Sequence, residues 1–277
     1  MTAVRYRAVL TGATGGIGRA MALRLGPLCE ALLLVARDAA ALTALAREIG
    51  ATGGRAQAVP ADLTTRAGRE AVLRAATETR GGIDLLVNNA GVGDFAWLAD
   101  QDDATLERIV QLNVLAPMQL TRRLLPLMLS QAAARIVNVG SIFGYLGYPG
   151  HTSYCASKFA LRGFSEALRR ELADGPVQVT YFAPRATRTT MNGAAMCALN
   201  AELGVAMDTP EAVAAALVML LEKPAHERPL GMPERLFAWL NQIAPWLVDR
   251  ALRRQLPVIR RHAHDSTPKT MSQGVHP

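Results

Sequence analysis

Short, continuous apolar runs alternate with stretches of helical periodicity along most of this chain. Residues 5–10, 31–36 (ALLLVA), 55–60, 84–87 and 177–182, and the run holding Ile136, Val137 and Val139, are each bounded by glycine or polar clusters. Strands buried on both faces of a parallel sheet lose the usual apolar–polar alternation and read this way. Between the runs, apolar positions recur three to four residues apart: Ala20, Met21, Leu23 and Leu25; residues 39–49; residues 65–79; Leu106, Ile109, Val110, Val114 and Leu120 within 103–130; and residues 211–221. Strand and helix in alternation predict a doubly wound parallel sheet with helices on both faces. A closing strand is weakly written, with residues 227–230 as its only candidate.

Residues 233–261 break from that rhythm. Leu236, Phe237, Leu240 and Ile243 share one helical face, Pro245 interrupts it, and Trp246, Leu247, Leu252 and Leu256 offer a second beside Arg250, Arg253, Arg254, Arg260 and Arg261. Apolar aromatics with arginines suit a helix lying on a membrane surface. They equally suit a helix packed across an oligomer interface or over a substrate mouth, and the packing readings are preferred. The expected organisation is a main unit over 1–222, a helical extension over 223–264 and a disordered Pro-, Ser- and Thr-rich tail over 265–277.

At 277 residues and 50% hydrophobic, the chain can bury one large core. Its formal charge of +7 comes almost wholly from arginine, since Lys158, Lys223 and Lys269 are the only lysines. No dense basic run or aromatic-interleaved patch supports nucleic acid; attraction to anionic substrates such as phosphopantetheine carriers or CoA esters is the milder reading. Cys29, Cys155 and Cys197 are too few and too scattered for a disulfide framework or a zinc site, so reduced thiols and no metal are expected. The first strand begins almost at once, without the pattern of a secretory signal. The longest apolar run, 212–221, is too short to cross a bilayer. A cytoplasmic protein is the expectation.

Candidate chemistry concentrates in residues 135–160, RIVNVGSIFGYLGYPGHTSYCASKFA. Tyr154 and Lys158, four apart on a helix, share a face, and Ser141 at a strand end can oppose them. Bringing a phenol from its usual pKa of about 10 to about 7 takes roughly 4 kcal/mol of phenolate stabilisation. An ammonium at ~4 Å in an effective dielectric of about 20 supplies energy on that order. Lys158 is therefore expected to tune Tyr154. His151 either lines the substrate entrance or is a plain loop histidine, and Phe95 and Trp97 either shape a pocket or pack under a helix. The Met- and Ala-rich segment 191–207 is the expected substrate lid.

The second concentration is Thr11-Gly12-Ala13-Thr14-Gly15-Gly16-Ile17-Gly18, between the first strand and first helix. Strand, glycine turn and helix N-terminus form a cradle whose free N–H groups and dipole attract a pyrophosphate. These stretches, with Asp62, Asn88-Asn89-Ala90-Gly91 and Asn113, follow the order and spacing of the classical short-chain dehydrogenase/reductase family, which the chain resembles over residues 5–222.

The resemblance implies a single Rossmann-like domain that moves a hydride between nicotinamide and a carbonyl or secondary alcohol. Tyr154 would be the proton donor or acceptor, Ser141 would hold the carbonyl oxygen, Lys158 would depress the phenol pKa and bond the nicotinamide ribose, and the backbone of Asn113 would hold a relay water. Gly12, Thr14, Gly16, Ile17 and Gly18 would cradle the phosphates, Asp62 with Leu63 would meet the adenine, and Asn89, Ala90 and Gly91 would border the ribose. Pro184, Thr187 and Thr189 would lie by the carboxamide, where Arg185 stands in place of the usual glycine.

The second strand ends in Ala36-Arg37, and an arginine there accommodates a ribose 2′-phosphate. NADP(H) is therefore preferred, with NAD(H) left open; Asp38 either joins the ribose or caps the next helix, and Asp62 has a capping role as its plain alternative. The mostly apolar lid points to a lipophilic ketone such as a 3-oxoacyl thioester, a steroid-like ring ketone or a polyketide carbonyl. Assembly as a homodimer or homotetramer is expected, and the competing reading is a non-catalytic NADP(H) sensor on the same fold.

Overall fold

The computed structural model describes residues 5–265. Most of the tail expected to be disordered, from residue 266 on, lies outside the described residues. Six runs become strands β1 (Tyr6–Thr11), β2 (Cys29–Ala36), β3 (Ala56–Pro60), β4 (Leu85–Asn88), β5 (Ala134–Val139) and β6 (Val177–Ala183). The weak candidate forms β7 (Glu227–Pro229), so the stretch assigned to the extension contributes a sheet strand. All seven strands are parallel, in the order β3-β2-β1-β4-β5-β6-β7. The winding reverses between β1 and β4, and the crevice at their C-terminal ends is where such sheets bind ligands.

Successive strand residues face opposite sides, so each apolar run feeds two cores. Leu10, Leu32, Leu34, Val87 and Val137 pack on one side under α1 (Gly16–Leu25), α2 (Ala39–Ala51) and α8 (Pro210–Glu222). Val9, Leu33, Val35, Leu86 and Ile136 pack on the other under α3 (Arg66–Glu78), α5 (Ala116–Leu129) and α6 (Thr152–Glu171). A fully buried Leu or Ile is worth about 1.5–3 kcal/mol relative to an exposed one, which commits both sheet faces to this arrangement.

Helix starts follow local chemistry. Asp38 caps α2 by accepting from the Ala41 N–H at 2.9 Å, and Thr209 caps α8 ahead of Pro210. The capping alternative for Asp62 does not hold. Thr65 caps α3 through the Gly68 N–H at 3.0 Å, one residue before the helix begins, while Asp62 sits too far upstream and accepts instead from the backbone and hydroxyl of Thr64. The segment 103–130 is one interrupted helix: α4 (Asp103–Val110), a π-helical turn (Gln111–Leu115) and α5.

The lid segment carries α7 (Ala194–Glu202), and the C-terminal stretch forms α9 (Met232–Ile243) and α10 (Pro245–Asp265), with Pro245 opening the second. Ile259 and Ala263 of α10 are buried with Phe95, Met196 and Leu199, and Glu202 pairs with Arg261 and His262. α10 therefore straps the lid. Of the two apolar faces expected here, the first forms but is turned outward, and the second does not form. Leu236, Phe237 and Ile243 are exposed, while Trp246 and Leu247 point outward and Leu252 and Leu256 are half-buried. At about 100° per residue, Trp246 and Leu252 stand roughly 120° apart around one helix and do not share a face. Among the described residues no helix is long and apolar enough to cross a membrane.

Candidate active site

The glycine turn and the β4 end lie side by side and are tied by one hydroxyl. Thr11 Oγ1 accepts from the backbone N–H groups of Asn89 and Ala90 at 2.9 and 3.0 Å, while Asn89 Nδ2 donates to the carbonyls of Thr11 and Gly12. Gly12 adopts φ +66°, and a Cβ there would lie 2.8 Å from the Ala90 Cα, so both the turn and the close approach require glycine. Beneath this, Asn88 Nδ2 donates to Thr121 and Asn138, and Asn138 Nδ2 donates to Ser165 at 2.8 Å. These buried amides brace β4, β5, α5 and α6 where the crevice opens.

The π-helical turn brings the side chain of Asn113 into the interior. Its Oδ1 accepts from the Val92 N–H at 2.9 Å, and its Nδ2 donates to the Val92 carbonyl and to Ser157 Oγ at 3.0 Å. Ser157 in turn donates to the Tyr154 carbonyl at 2.7 Å. Lys158, buried one turn after Tyr154, sends Nζ to the Val139 carbonyl at 3.1 Å. A Cβ at Gly91 would stand 3.1 Å from Asn113 Oδ1 and 3.6 Å from Lys158 Nζ. Asn113, Lys158 and the end of the β4 motif thus meet at one point. Ser141, at the end of β5, reaches Tyr154: burial pushes the phenol up to about 12, and a hydrogen bond with Ser141 pulls the other way.

This reverses the expected tuning. Lys158 Nζ lies 5.5 Å from the centre of the Tyr154 ring, turned toward a carbonyl, and burial lowers its own pKa to about 8. Desolvation outweighs the hydrogen bond with Ser141, and Tyr154 is held as the neutral phenol.

Gly16, Ile17 and Gly18 form the first turn of α1, and Thr14 lies in the turn before it. No side chain caps this helix, whereas α2, α3, α4 and α8 are capped by Asp38, Thr65, Asp102 and Thr209. An N-terminus left open beside a glycine turn fits a pyrophosphate. A Cβ at Gly16 would meet Thr189 at 3.0 Å, so the cradle is bordered by the loop after β6. There Pro184 and Thr187 are buried, the latter donating to the Arg185 carbonyl at 2.9 Å. Arg37 is exposed at the end of β2, close enough to Asp62 to help lower its pKa after the dominant hydrogen bonds from Thr64. Leu63 is buried beside Asp62. Asp38 is occupied as the α2 cap, whereas the Arg37 side chain is exposed. The Arg185 side chain leaves the cradle and binds Asp208 at 2.7 Å and Glu234 at 3.4 Å, tying the β6 end to the far end of the lid and to α9.

Aromatic rings wall the space beside Tyr154. His151 lies 5.1 Å from Phe95, 5.2 Å from Phe143 and 6.0 Å from Tyr154 between ring centres. Its Nδ1 meets the Asp94 carbonyl at 2.8 Å, and burial lowers its pKa to about 4. His151 is therefore a neutral wall residue. Gly93 approaches the Tyr154 ring and Met191, while Phe95 is buried against the lid and α10. Burial also raises the Cys155 thiol to about 11, leaving it packed and unreactive beside Tyr154.

Sequence reasoning missed two residues of this arrangement. Ser157 links Asn113 to the Tyr154 backbone, and its position between Tyr154 and Lys158 was the available signal. The Tyr181 hydroxyl accepts from the Ser141 N–H and lies within bonding distance of the Ser141 and Lys158 carbonyls at 3.1 and 3.3 Å, stapling the two motifs together. Nothing in an apolar strand run marks that tyrosine.

A family model described as short chain dehydrogenase matches residues 6–198. Ketoacyl reductase HetN of Nostoc is 31% identical over 252 residues, covering 88% of this chain and 87% of that protein. A short chain dehydrogenase/reductase of Burkholderia phymatum, solved in complex with NAD, aligns with a TM-score of 0.80 at 26% identity over 89% of this chain and 96% of its own. A short-chain dehydrogenase of Sphingobium yanoikuyae, solved in complex with NADPH, aligns with a TM-score of 0.73 at 26% identity over 97% of this chain and 98% of its own.

Proposed function

The chain belongs to the short-chain dehydrogenase/reductase family of oxidoreductases, and on that premise we propose that it is an NADP(H)-dependent reductase of lipophilic ketones. The observation that carries this reading is geometric: Asn113, Tyr154 and Lys158 are linked at the end of β4, with Ser141 beside the Tyr154 phenol. With its pKa raised to about 12, Tyr154 carries its proton at neutral pH, which is the form from which reduction of a carbonyl starts.

When bound, the nicotinamide cofactor supplies the hydride. Tyr154 gives its proton to the carbonyl oxygen, and Ser141 holds that oxygen as negative charge develops. Lys158 bonds the nicotinamide ribose, and Asn113 organises a path that returns the proton to Tyr154. The open N-terminus of α1 takes the pyrophosphate with Gly12, Thr14, Gly16, Ile17 and Gly18 around it. Arg37 reads the 2′-phosphate, the role left by the use of Asp38 as a cap. The apolar wall of Phe143, Tyr148 and His151 and the Met-bearing lid favour a 3-oxoacyl chain, with a ring ketone as the variant within the same class. The name of the Nostoc relative, ketoacyl reductase, supports the former.

We further propose a homo-oligomer, because α4, α5 and α6 expose Val110, Met118 and Phe159. A cytoplasmic setting agrees with the three free cysteines.

Nicotinamide fluorescence titration with NADPH and NADH, followed by NADPH oxidation against a panel of 3-oxoacyl thioesters and ring ketones, tests the reading. Wild type should prefer NADPH, and Arg37→Ala should lose roughly ten- to a hundredfold in NADPH affinity while keeping NADH, the worth of one charge-assisted contact. Tyr154→Phe should bind NADPH normally and lose about 10²- to 10⁴-fold in turnover. Retained turnover in that variant removes Tyr154 as the proton donor.

A further inference from the structure

Helix α9 is inside out. Its inward face carries the small Ala238, with Glu234 held by Arg185 and Asn241 donating to the Tyr145 carbonyl at 2.9 Å. Its large apolar residues stand on the opposite side. Met232, Leu236, Trp239 and Ile243 follow the i, i+4, i+7, i+11 spacing of a single stripe, and Trp246 and Leu247 prolong it across the proline junction into α10. All six are between 47% and 74% exposed. Since the inward contacts are polar and already made, rotating α9 to hide the stripe would break them. The stripe therefore belongs to something outside this chain's own core.

Charge selects the occupant. From Trp246 onward the outward face of α10 carries Arg250, Arg253 and Arg254, and Arg235 is exposed on α9. None of these four has an ion-pair partner among the described residues. Asp249 is the one exposed acidic residue among those whose exposure is described on the two helices. A two-fold contact with a second copy would set these cationic faces against each other, because an isologous interface repeats the same patch on both sides. An anionic phospholipid surface instead neutralises them while taking the apolar stripe, and tryptophan suits that boundary, with an apolar ring and a wet N–H.

We propose that α9 and the first turns of α10 form a docking surface for an anionic phospholipid bilayer, lying in its interface without crossing it. The inner side of α10 is the strap on the lid, so the docked surface backs directly onto the substrate entrance. The inference stands apart from the choice of substrate and cofactor, which are read by separate assays.

Co-sedimentation of the full chain with mixed phosphatidylglycerol–phosphatidylcholine vesicles, with pure phosphatidylcholine vesicles, and with the mixed vesicles at high salt tests it. The wild-type protein should pellet with the mixed vesicles, remain mostly in the supernatant with phosphatidylcholine alone, and be released by salt. Replacing Arg250, Arg253 and Arg254 by Ser should weaken binding to the mixed vesicles by about a hundredfold. The combined variant Trp239→Ser, Ile243→Ser, Trp246→Ser should lose binding while retaining NADPH affinity and the same mass in lipid-free sedimentation velocity. Wild-type protein that ignores the mixed vesicles overturns the proposal on its own, whatever the variants do. A fall in assembled mass of the apolar variant also overturns it, by giving the stripe to a second copy.

Discussion

Replacing Lys158 by Met isolates the energetic cost of the buried ammonium. Lys158 is 4% exposed, and burial lowers its pKa from 10.5 to about 8. That depression corresponds to about 3 kcal/mol of differential stability between charged and neutral lysine. Below pH ~8 the lysine is charged in both the folded and the unfolded chain, and the folded chain bears the cost of burying it. Between ~8 and 10.5 the unfolded chain keeps a proton that the folded chain has released, so wild-type stability gains as pH rises through this window. Lys158→Met has no such term, and the unbranched methionine follows the same channel. The lost hydrogen bond to the Val139 carbonyl costs about 1 kcal/mol but varies little with pH. Urea unfolding of both cofactor-free proteins in steps from pH ~7 to ~10.5 should therefore show the stability difference moving in favour of wild type by about 3 kcal/mol. A difference that stays constant with pH refutes the reasoning, and would mean that water or another group compensates the ammonium inside the site.

Tyr181→Phe removes the hydroxyl that staples Ser141 to Lys158; it should cost about 1–3 kcal/mol in urea unfolding and lower turnover more than NADPH affinity. Arg185→Ala frees the lid from Asp208 and Glu234. Because the pair is partly exposed, global stability should fall by only about 1 kcal/mol. Hydrogen exchange should rise across residues 186–208 and substrate KM should increase, with NADPH affinity unchanged because the side chain points away from the cradle. Asn88→Ala opens the amide network under the crevice and should destabilise by about 1–3 kcal/mol, read as a lower midpoint in the same denaturant titration.

Where a residue's role follows from its neighbours in sequence, the chain could be read directly. Six strand runs, the glycine turn and the cap at Asp38 involve contacts within a few residues, and each stands where periodicity or turn chemistry placed it. The pairing of Tyr154 with Lys158 on one helix was legible for the same reason. Its electrostatics were not, because the sign of the Tyr154 shift depends on how deeply the phenol is buried and where Lys158 Nζ turns, toward Val139 and away from the ring. The face presented by α9 was hidden too. Amphipathicity identifies an apolar stripe but not what it meets, and here Glu234, Ala238 and Asn241 turned inward because Arg185 and the Tyr145 carbonyl, remote in sequence, were waiting for them.

One detail joins local sequence to the proposed proton path. In an α-helix the carbonyl of Asn113 would receive the N–H of residue 117, but that residue is proline and has none to give. The chain responds with the π-helical turn Gln111–Leu115, in which Ala116 reaches back five residues to the Gln111 carbonyl. This turn sets the Asn113 side chain between Val92 and Ser157, so its amide holds the loop after β4 against the helix that carries Tyr154 and Lys158. Its backbone carbonyl loses the usual α-helical donor of residue 117, in keeping with the relay water proposed for it. Pro117 is thus part of the site although it touches none of the reacting groups. The asparagine supplies the brace, and the proline four residues later removes the α-helical donor of its carbonyl.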